Sequence, residues 1–206
     1  MLARRMLMKP SGAPVTYATF SPLANRKSAN ITLSNGNLSA SLLSTASPNT
    51  VYLAIDKTSG LWAFEITNSV NMNGSNLTTA GVSTSLVLNN YIGFITNSVC
   101  CVAYDGRMVN NSSTSSAYYD GFFNSGTKRL YVFDANTRKI LCSKSGVLKA
   151  STAVTGTNPL YMGLTIYGTN THTLNAGQSA FSVENESLLS AYEAANGVAI
   201  NRGVWA

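Results

Sequence analysis

The chain has 206 residues, enough for one well-buried domain with modest extensions, and carries a net charge of +6 with 45% hydrophobic but only 11% charged residues. This content excludes a disordered chain, and no run of about 18 apolar residues is available to span a membrane. Polarity comes mainly from Asn, Ser, Thr and Gly, which serve turns and strand faces and weaken helix interiors, so the composition suits an all-β protein.

Residues 1–27 read as an extended N-terminal arm, since Pro10, Gly12, Pro14 and Pro22 block regular structure. Arg4, Arg5, Lys9, Arg26 and Lys27 all precede Asp56, the first acidic residue. The basic residues alternate with Leu2, Met6, Leu7 and Met8, and no aromatic is interleaved for base stacking. A protein surface is therefore the expected partner of the arm, rather than nucleic acid. MLARRMLMKPSGAP also lacks the apolar core of about 7–15 residues that a secretory signal needs.

Short runs separated by turn residues follow, the spacing of a sandwich or barrel. ANITLSNGNLSASLL (29–43) reads as strand, Asn35-Gly36 turn, strand. TVYLAID (50–56) and LWAFEIT (61–67) are strands, and in the second Trp62, Phe64 and Ile66 are expected to face the core, with Leu61, Ala63, Glu65 and Thr67 opposite. LTTAGVSTSL (77–86) and YIGFITNSVCCVAYDGRMV (91–109) continue the strand pattern, with Asp105-Gly106 as a tight turn. SAYYDGFFNSG places Tyr118, Tyr119, Phe122 and Phe123 around Asp120-Gly121: either strands pinned by aromatic packing or a loop that binds sugar or protein. KRLYVFDANTRKILCSKSG (128–146) is a hairpin with Leu130, Val132 and Asp134 opposed to Tyr131 and Phe133. In LYMGLTI, Leu160, Met162, Leu164 and Ile166 share one face; YGTNT reverses the chain and HTLN returns. Residues 184–197 alone look helical, with Leu188, Leu189 and Tyr192 on one face, Glu184 and Glu186 at the positive end, and Gly197 ending it. Trp205, close to the last residue of the sequence, needs a surface to bury against.

The succession ANITLSNGNL, TSGLWAFEIT, AGVSTS, YIGFITNSVCCVAYDGRMVNN, KRLYVFDANTRKILCSKSGV and LYMGLTIYGTNTHTLNAGQ resembles SPRY domains, most of all the divergent branch carried by bacteriophage virion proteins and some bacterial surface proteins. The resemblance covers residues 28 to about 183. It implies a concanavalin-like jelly roll, a sandwich of two antiparallel sheets, with Trp62 and Phe64 in the core, Glu65 at an acidic position, Asp134 and Asn136 in a hairpin, and Gly177 and Gln178 ending the last strand. Ala63 and Ala176 depart from it, standing where an aromatic is common, as does the helical segment before the tail. The expected organisation is an arm (1–27), a sandwich (28–183), and a short C-terminal helix and tail (184–206).

Residues that carry chemistry are few. His172 is the only histidine, so multi-histidine zinc is excluded, and alternation in HTLN sets it between threonines as a surface or half-buried strand group. Cys100 and Cys101 point to opposite faces of a strand, with Cys142 apart from both; buried, unreactive thiols made in a reducing cytosol are expected. The eight acids form no glycosidase pair and no calcium cluster. SPRY domains are generally recognition modules, so the resemblance supplies no catalytic residue, cofactor or metal.

The expected function is therefore that of a non-enzymatic structural protein of a tailed-phage virion, made in the bacterial cytoplasm. It would dock on the particle in many copies, or as a homo-oligomer, through Arg4, Arg5, Leu7, Met8 and Trp205. With no coiled-coil stalk in the sequence, capsid decoration or a head fibre is favoured over a tail position. The alternative is a module that recognises host surface glycan or protein through Tyr118, Tyr119, Phe122 and Phe123.

Overall fold

The computed structural model describes residues 17–43, 47–71, 78–103, 106–111, 113–117, 124–144, 146–156 and 159–202. Among these the chain forms, in order, β1 (Ile31–Ser34), β2 (Ser39–Leu42), β3 (Asn49–Lys57), β4 (Leu61–Asn68), β5 (Thr78–Ser83), β6 (Ser98–Val102), β7 (Arg107–Asn110), β8 (Ser113–Ala117), β9 (Lys128–Asp134), β10 (Lys139–Lys144), β11 (Val147–Ala150), β12 (Leu160–Ile166), β13 (Asn170–Asn175) and helix α1 (Val183–Asn196). A seven-stranded sheet runs β1-β2-β13-β4-β9-β10-β11 and packs on a six-stranded sheet running β3-β12-β5-β6-β7-β8. Neighbouring strands are antiparallel throughout. The expected all-β sandwich with a C-terminal helix is the observed fold.

Local chemistry accounts for the turns. Asn35, Gly36 and Asn37 all take positive φ between β1 and β2, which only Gly and, at small cost, Asn tolerate. At the β9–β10 hairpin Asp134 accepts the Thr137 N–H at 3.0 Å and the Thr137 hydroxyl, while Asn136 reaches across to accept the Gly60 N–H at 2.9 Å.

Between the sheets lies one apolar core that includes Phe64, Ile66, Tyr131, Phe133, Leu160, Met162, Leu164 and Ile166. The β12 face expected in the core is there. Trp62 differs from expectation: it is half-buried at the edge of this core, its indole N–H donating to the Ser59 carbonyl at 2.8 Å and Lys57 Nζ lying 4.1 Å from its ring centre. Residues 91–97, read from sequence as continuing a strand pattern, form turns; β8 runs into the SAYYDGFFNSG stretch, for which strands were one of the two readings, and β11 was not anticipated.

The larger correction concerns the opposite faces of β4 and β9, which are buried as well. Leu61, Ala63, Leu130 and Val132 form a second core with Phe181, Leu188, Leu189 and Ile200, because α1 lies across this side of the sheet. Ser182 caps the helix by accepting the Asn185 N–H at 3.3 Å, and Gly197 ends it in the left-handed conformation. Glu65, on the same face, is only 1% exposed. Its carboxylate accepts the Ser182 N–H at 2.8 Å, Asn185 Nδ2 at 2.6 Å and Asn175 Nδ2 at 3.1 Å, at the positive end of the helix.

Both flanks of the sandwich reach into the body. Residues 18–27, assigned from sequence to the arm, run along β3: Phe20 pairs with Leu53 and Lys27 with Val51, and Ala18 and Phe20 are fully buried. After the helix, Asn201 pairs with β4, accepting the Ala63 N–H at 2.9 Å and donating to the Leu61 carbonyl at 2.8 Å. It continues the row that β13 leaves at Asn175, opposite Glu65.

Replacing Glu65 with Ala takes the acceptor from three donors, one of them fully buried, a loss of about 3 kcal/mol. Urea denaturation should show a lowered midpoint, and a glutamate-specific protease should cut at Glu184 or Glu186 faster than in the parent protein. An unchanged midpoint and cleavage rate would refute the role of this carboxylate in docking the helix.

Candidate interaction surfaces

Every residue singled out from sequence as a contact lies outside the described residues. Arg4, Arg5, Leu7 and Met8 precede Tyr17, Trp205 follows Arg202, and Tyr118, Tyr119, Phe122 and Phe123 fall between β8 and Asn124. The structure does define the points from which the flanking segments continue.

On the N-terminal side, Ala54 donates to the Thr19 carbonyl and Ser21 to the Tyr52 carbonyl, each at 2.8 Å, so this segment runs antiparallel to β3. Followed back toward Tyr17, it leads to the end of β3 at Lys57. There the Ala18 carbonyl accepts Gln178 Nε2 at 3.0 Å. Residues 177–181 in turn line a cleft of about 230 Å³ together with Glu186 and Arg202. Arg202 is fixed in place: Nε meets Glu186 at 3.0 Å, Nη1 and Nη2 meet the two Glu193 oxygens at 2.9 and 2.7 Å, and Nη1 also donates to the Ile200 carbonyl at 3.0 Å. The Arg202 hydrogen bonds hold the Glu193 carboxyl below its usual range, and Glu193 raises Arg202 in return. Ala18 and Arg202 thus border one loop, at the end of the sandwich where β3 finishes and β4 begins.

A second surface develops on the outer face of the six-stranded sheet. Gly81 and Gly163 are paired opposite each other, and a Cβ at either would stand 2.8 Å from Ile92 side-chain atoms. Two glycines leave a hollow, and Ile92 fills it beside Tyr52. The 84–97 loop is tied over the sheet around that anchor. Tyr52 Oη accepts the Val87 N–H at 3.0 Å, Thr50 Oγ1 donates to the Asn90 carbonyl at 2.9 Å, and Thr165 Oγ1 accepts the Ile92 N–H at 3.1 Å. The loop carries half-buried Tyr91 and Phe94 beside Tyr167, with ring centres 5.7 Å (Tyr91–Phe94) and 6.4 Å (Tyr91–Tyr167) apart and tilted planes. Burial and the neighbouring Tyr167 push the Tyr91 hydroxyl up to about 12, so Tyr91 stays uncharged near neutrality in this aromatic notch. Sequence reasoning missed this group because Tyr91 and Tyr167 are 76 residues apart and only the sheet pairing joins them. Tyr167 follows β12, so the notch lies toward the end opposite the Lys57 end of β3.

His172 is neither exposed nor half-buried, as its place between threonines suggested; it is 1% exposed. Its Nε2 lies 3.0 Å from Thr78 Oγ1 on the facing sheet, across a cavity of about 10 Å³, room for one water, bordered also by Asn68, Arg129 and Tyr131. Nδ1 is buried without a hydrogen-bond partner in the protein. Burial pushes the imidazole down to about 3, so it is neutral near pH 7. Cys100, Cys101 and Cys142 are buried and not joined in a disulfide, with Cys100 and Cys101 on opposite faces as expected. Among the described residues no group of three or more His, Cys, Asp or Glu side chains is placed to hold a metal, and no helix is long and apolar enough to cross a membrane.

The sequence matches no protein-family profile and no curated protein. The fold does match solved structures. The SPRY domain of human HERC1 superposes with a TM-score of 0.62 at 19% identity, covering 78% of this chain and 99% of that one. The TRIM65 PSpry domain gives 0.57 at 17% identity over 77% and 89%, and a further human SPRY domain 0.54 at 14% over 73% and 98%. The chain has the SPRY fold.

Neutral His172 generates a pH dependence. Unfolded His takes up a proton near 6.5, the folded residue only near 3, so stability falls as pH is lowered through that window and no further below it. The slope is at most about 1.4 kcal/mol per pH unit. Between pH 7 and pH 5 a His172→Gln variant should lose about 2 kcal/mol less than the parent in urea denaturation. An imidazole NMR signal titrating near 6.5 in the folded protein would contradict this.

Proposed function

We propose that this protein is a non-enzymatic docking module, a SPRY-fold body attached to a tailed-phage particle by the segments that flank it. Arg4, Arg5, Leu7, Met8 and Trp205 are the contacts of this reading, and a capsid position is preferred to a tail position. One observation carries it: Ala18 and Arg202 border the same 177–181 loop, so both flanking segments continue from one end of the sandwich. Two short segments that each lose much entropy on ordering bind weakly alone. Starting side by side, they address one neighbouring surface at high effective concentration. The virion setting rests on the sequence resemblance, and the recognition role agrees with what SPRY folds commonly do.

A second reading is favoured by the Tyr91–Phe94–Tyr167 notch. It lies toward the other end, where it stays open if the root end is docked, and tilted rings beside Asn89 and Asn90 suit a host glycan or an extended peptide. In this reading the notch and Tyr118, Tyr119, Phe122 and Phe123 both take part in receptor binding.

Particles assembled with residues 1–14 deleted should incorporate at least about tenfold less of the protein, measured by quantitative gel or mass spectrometry of purified particles. Unchanged incorporation would overturn the docking reading. Glycan-array binding that disappears on Tyr91→Ala or Tyr119→Ala would support the second.

A further inference from the structure

The three cysteines divide sharply by environment. Cys100 faces outward from β6, packed against the 84–97 loop so tightly that a Cβ at Gly93 would stand 2.4 Å from its Sγ. Cys101, the next residue, faces the inter-sheet core, opposite Ala80 on β5 and Met108 on β7. Cys142, on β10 of the other sheet, faces the same core beside Tyr131. Facing sheets normally lie about 10 Å apart. Here Cα atoms of β10 and β6 come within 8 Å across the core that both cysteines face, and the Cys142 thiol lies near enough to the Cys101 thiol for each to act on the other. A disulfide needs Cα atoms about 4.4–6.8 Å apart, a separation that strands approaching within 8 Å can reach.

The geometry points to Cys101 and Cys142 as a latent inter-sheet disulfide, a covalent staple that closes when the chain meets a disulfide oxidant. The reaction is two exchanges. One cysteine thiolate attacks oxidised glutathione and forms a mixed disulfide, releasing one glutathione thiolate. The second cysteine then attacks the first, forming the Sγ–Sγ bond and releasing the other glutathione. The protein loses two protons and two electrons, and the glutathione disulfide is reduced to two thiols. Burial, followed by the Cys101 contact, raises the Cys142 thiol, so in the closed fold it stays protonated and slow to react. Both side chains are fully buried, so the exchange proceeds during folding or through transient opening of the sandwich. Once closed, the bond joins the two sheets, as inter-sheet disulfides do in other sandwiches.

The test is refolding of the full chain in a reduced and oxidised glutathione buffer, followed by acid quench, alkylation and peptide mapping without reduction. The expected product has one linkage, Cys101 to Cys142, a mass lower by two hydrogens, and Cys100 alkylated. Its urea midpoint lies above that of the reduced protein and returns on adding dithiothreitol. A Cys100→Ala variant should form the same linkage, whereas Cys101→Ala and Cys142→Ala should abolish both the linkage and the midpoint shift. Three alkylated cysteines under these conditions, a linkage through Cys100, or a linked form with a lower midpoint than the reduced one would each overturn the proposal.

Discussion

The buried carboxylate of Glu65 is the constraint around which one whole side of this molecule is arranged. A buried carboxyl group is tolerated only where hydrogen-bond donors converge on it. Here they come from three places: the end of β13 at Asn175, the helix cap at Ser182 and the first helical turn at Asn185. Asn185 also donates to the Lys128 carbonyl at 3.2 Å, which ties the same turn to β9. Fixing the first turn of α1 at this point directs the rest of the helix, so Leu188 and Leu189 fall over Leu61, Ala63, Leu130 and Val132. Each such leucine contributes about 1.5–3 kcal/mol on burial. The small Ala63 side chain leaves room for this cover. The return at Gly197 then brings Asn201 back to the row β13 vacated, and so sets where the C-terminal segment leaves the body.

The other sheet solves the same problem by subtraction. Where the first buries its outer face under a helix, the second removes two Cβ atoms, at Gly81 and Gly163, and accepts a loop residue in the space. Ile92 then acts as a peg, while Tyr52, Thr50 and Thr165 supply the polar ties that a buried irregular backbone requires. A side chain on Gly81 would meet the Val99 carbonyl at 2.3 Å, which backbone cannot yield cheaply. The aromatic notch is therefore positioned by the interior of the sheet rather than by the loop's own conformation.

Much of this was legible in the sequence, for identifiable reasons. Asn35-Gly36 announced a hairpin because the turn demands positive φ, and Leu160, Met162, Leu164 and Ile166 announced a core face because strand side chains alternate. Leu188, Leu189, Tyr192 and Gly197 announced the helix. Alternation could not reveal that Leu61, Ala63 and Glu65 are also buried, because a strand with one solvent face and a strand covered by a distant helix look alike until the helix is placed. His172 was misjudged for the same reason: flanking threonines report on their own face, whereas burial of the imidazole comes from Thr78 on the facing sheet. The meeting of Cys101 with Cys142, of Tyr91 with Tyr167, and of Ala18 with Gln178 all depend on long-range pairing. No local signal carries such contacts. The contact residues chosen from sequence fall outside the described residues, so the structure bears on the site only through the roots of the flanks.

Those roots give the sandwich a polarity that composition alone does not. β3, β12 and β4 share an orientation of ends through the short 58–60 connection, which brings Lys57 onto Trp62. At that end lie Ala18, Gln178 and Arg202; toward the other lie Tyr167, the Asn90 carbonyl on Thr50, and the start of β3. Seven residues of β12, from Leu160 to Ile166, separate the two by about 20 Å of strand. In the proposed docking arrangement, a body held at its root end by paired flanking segments would keep the notch clear of the surface beneath it. Contacts at one end and ligands at the other need not compete, and a substitution in the Tyr91–Tyr167 group is expected to act independently of one at the roots.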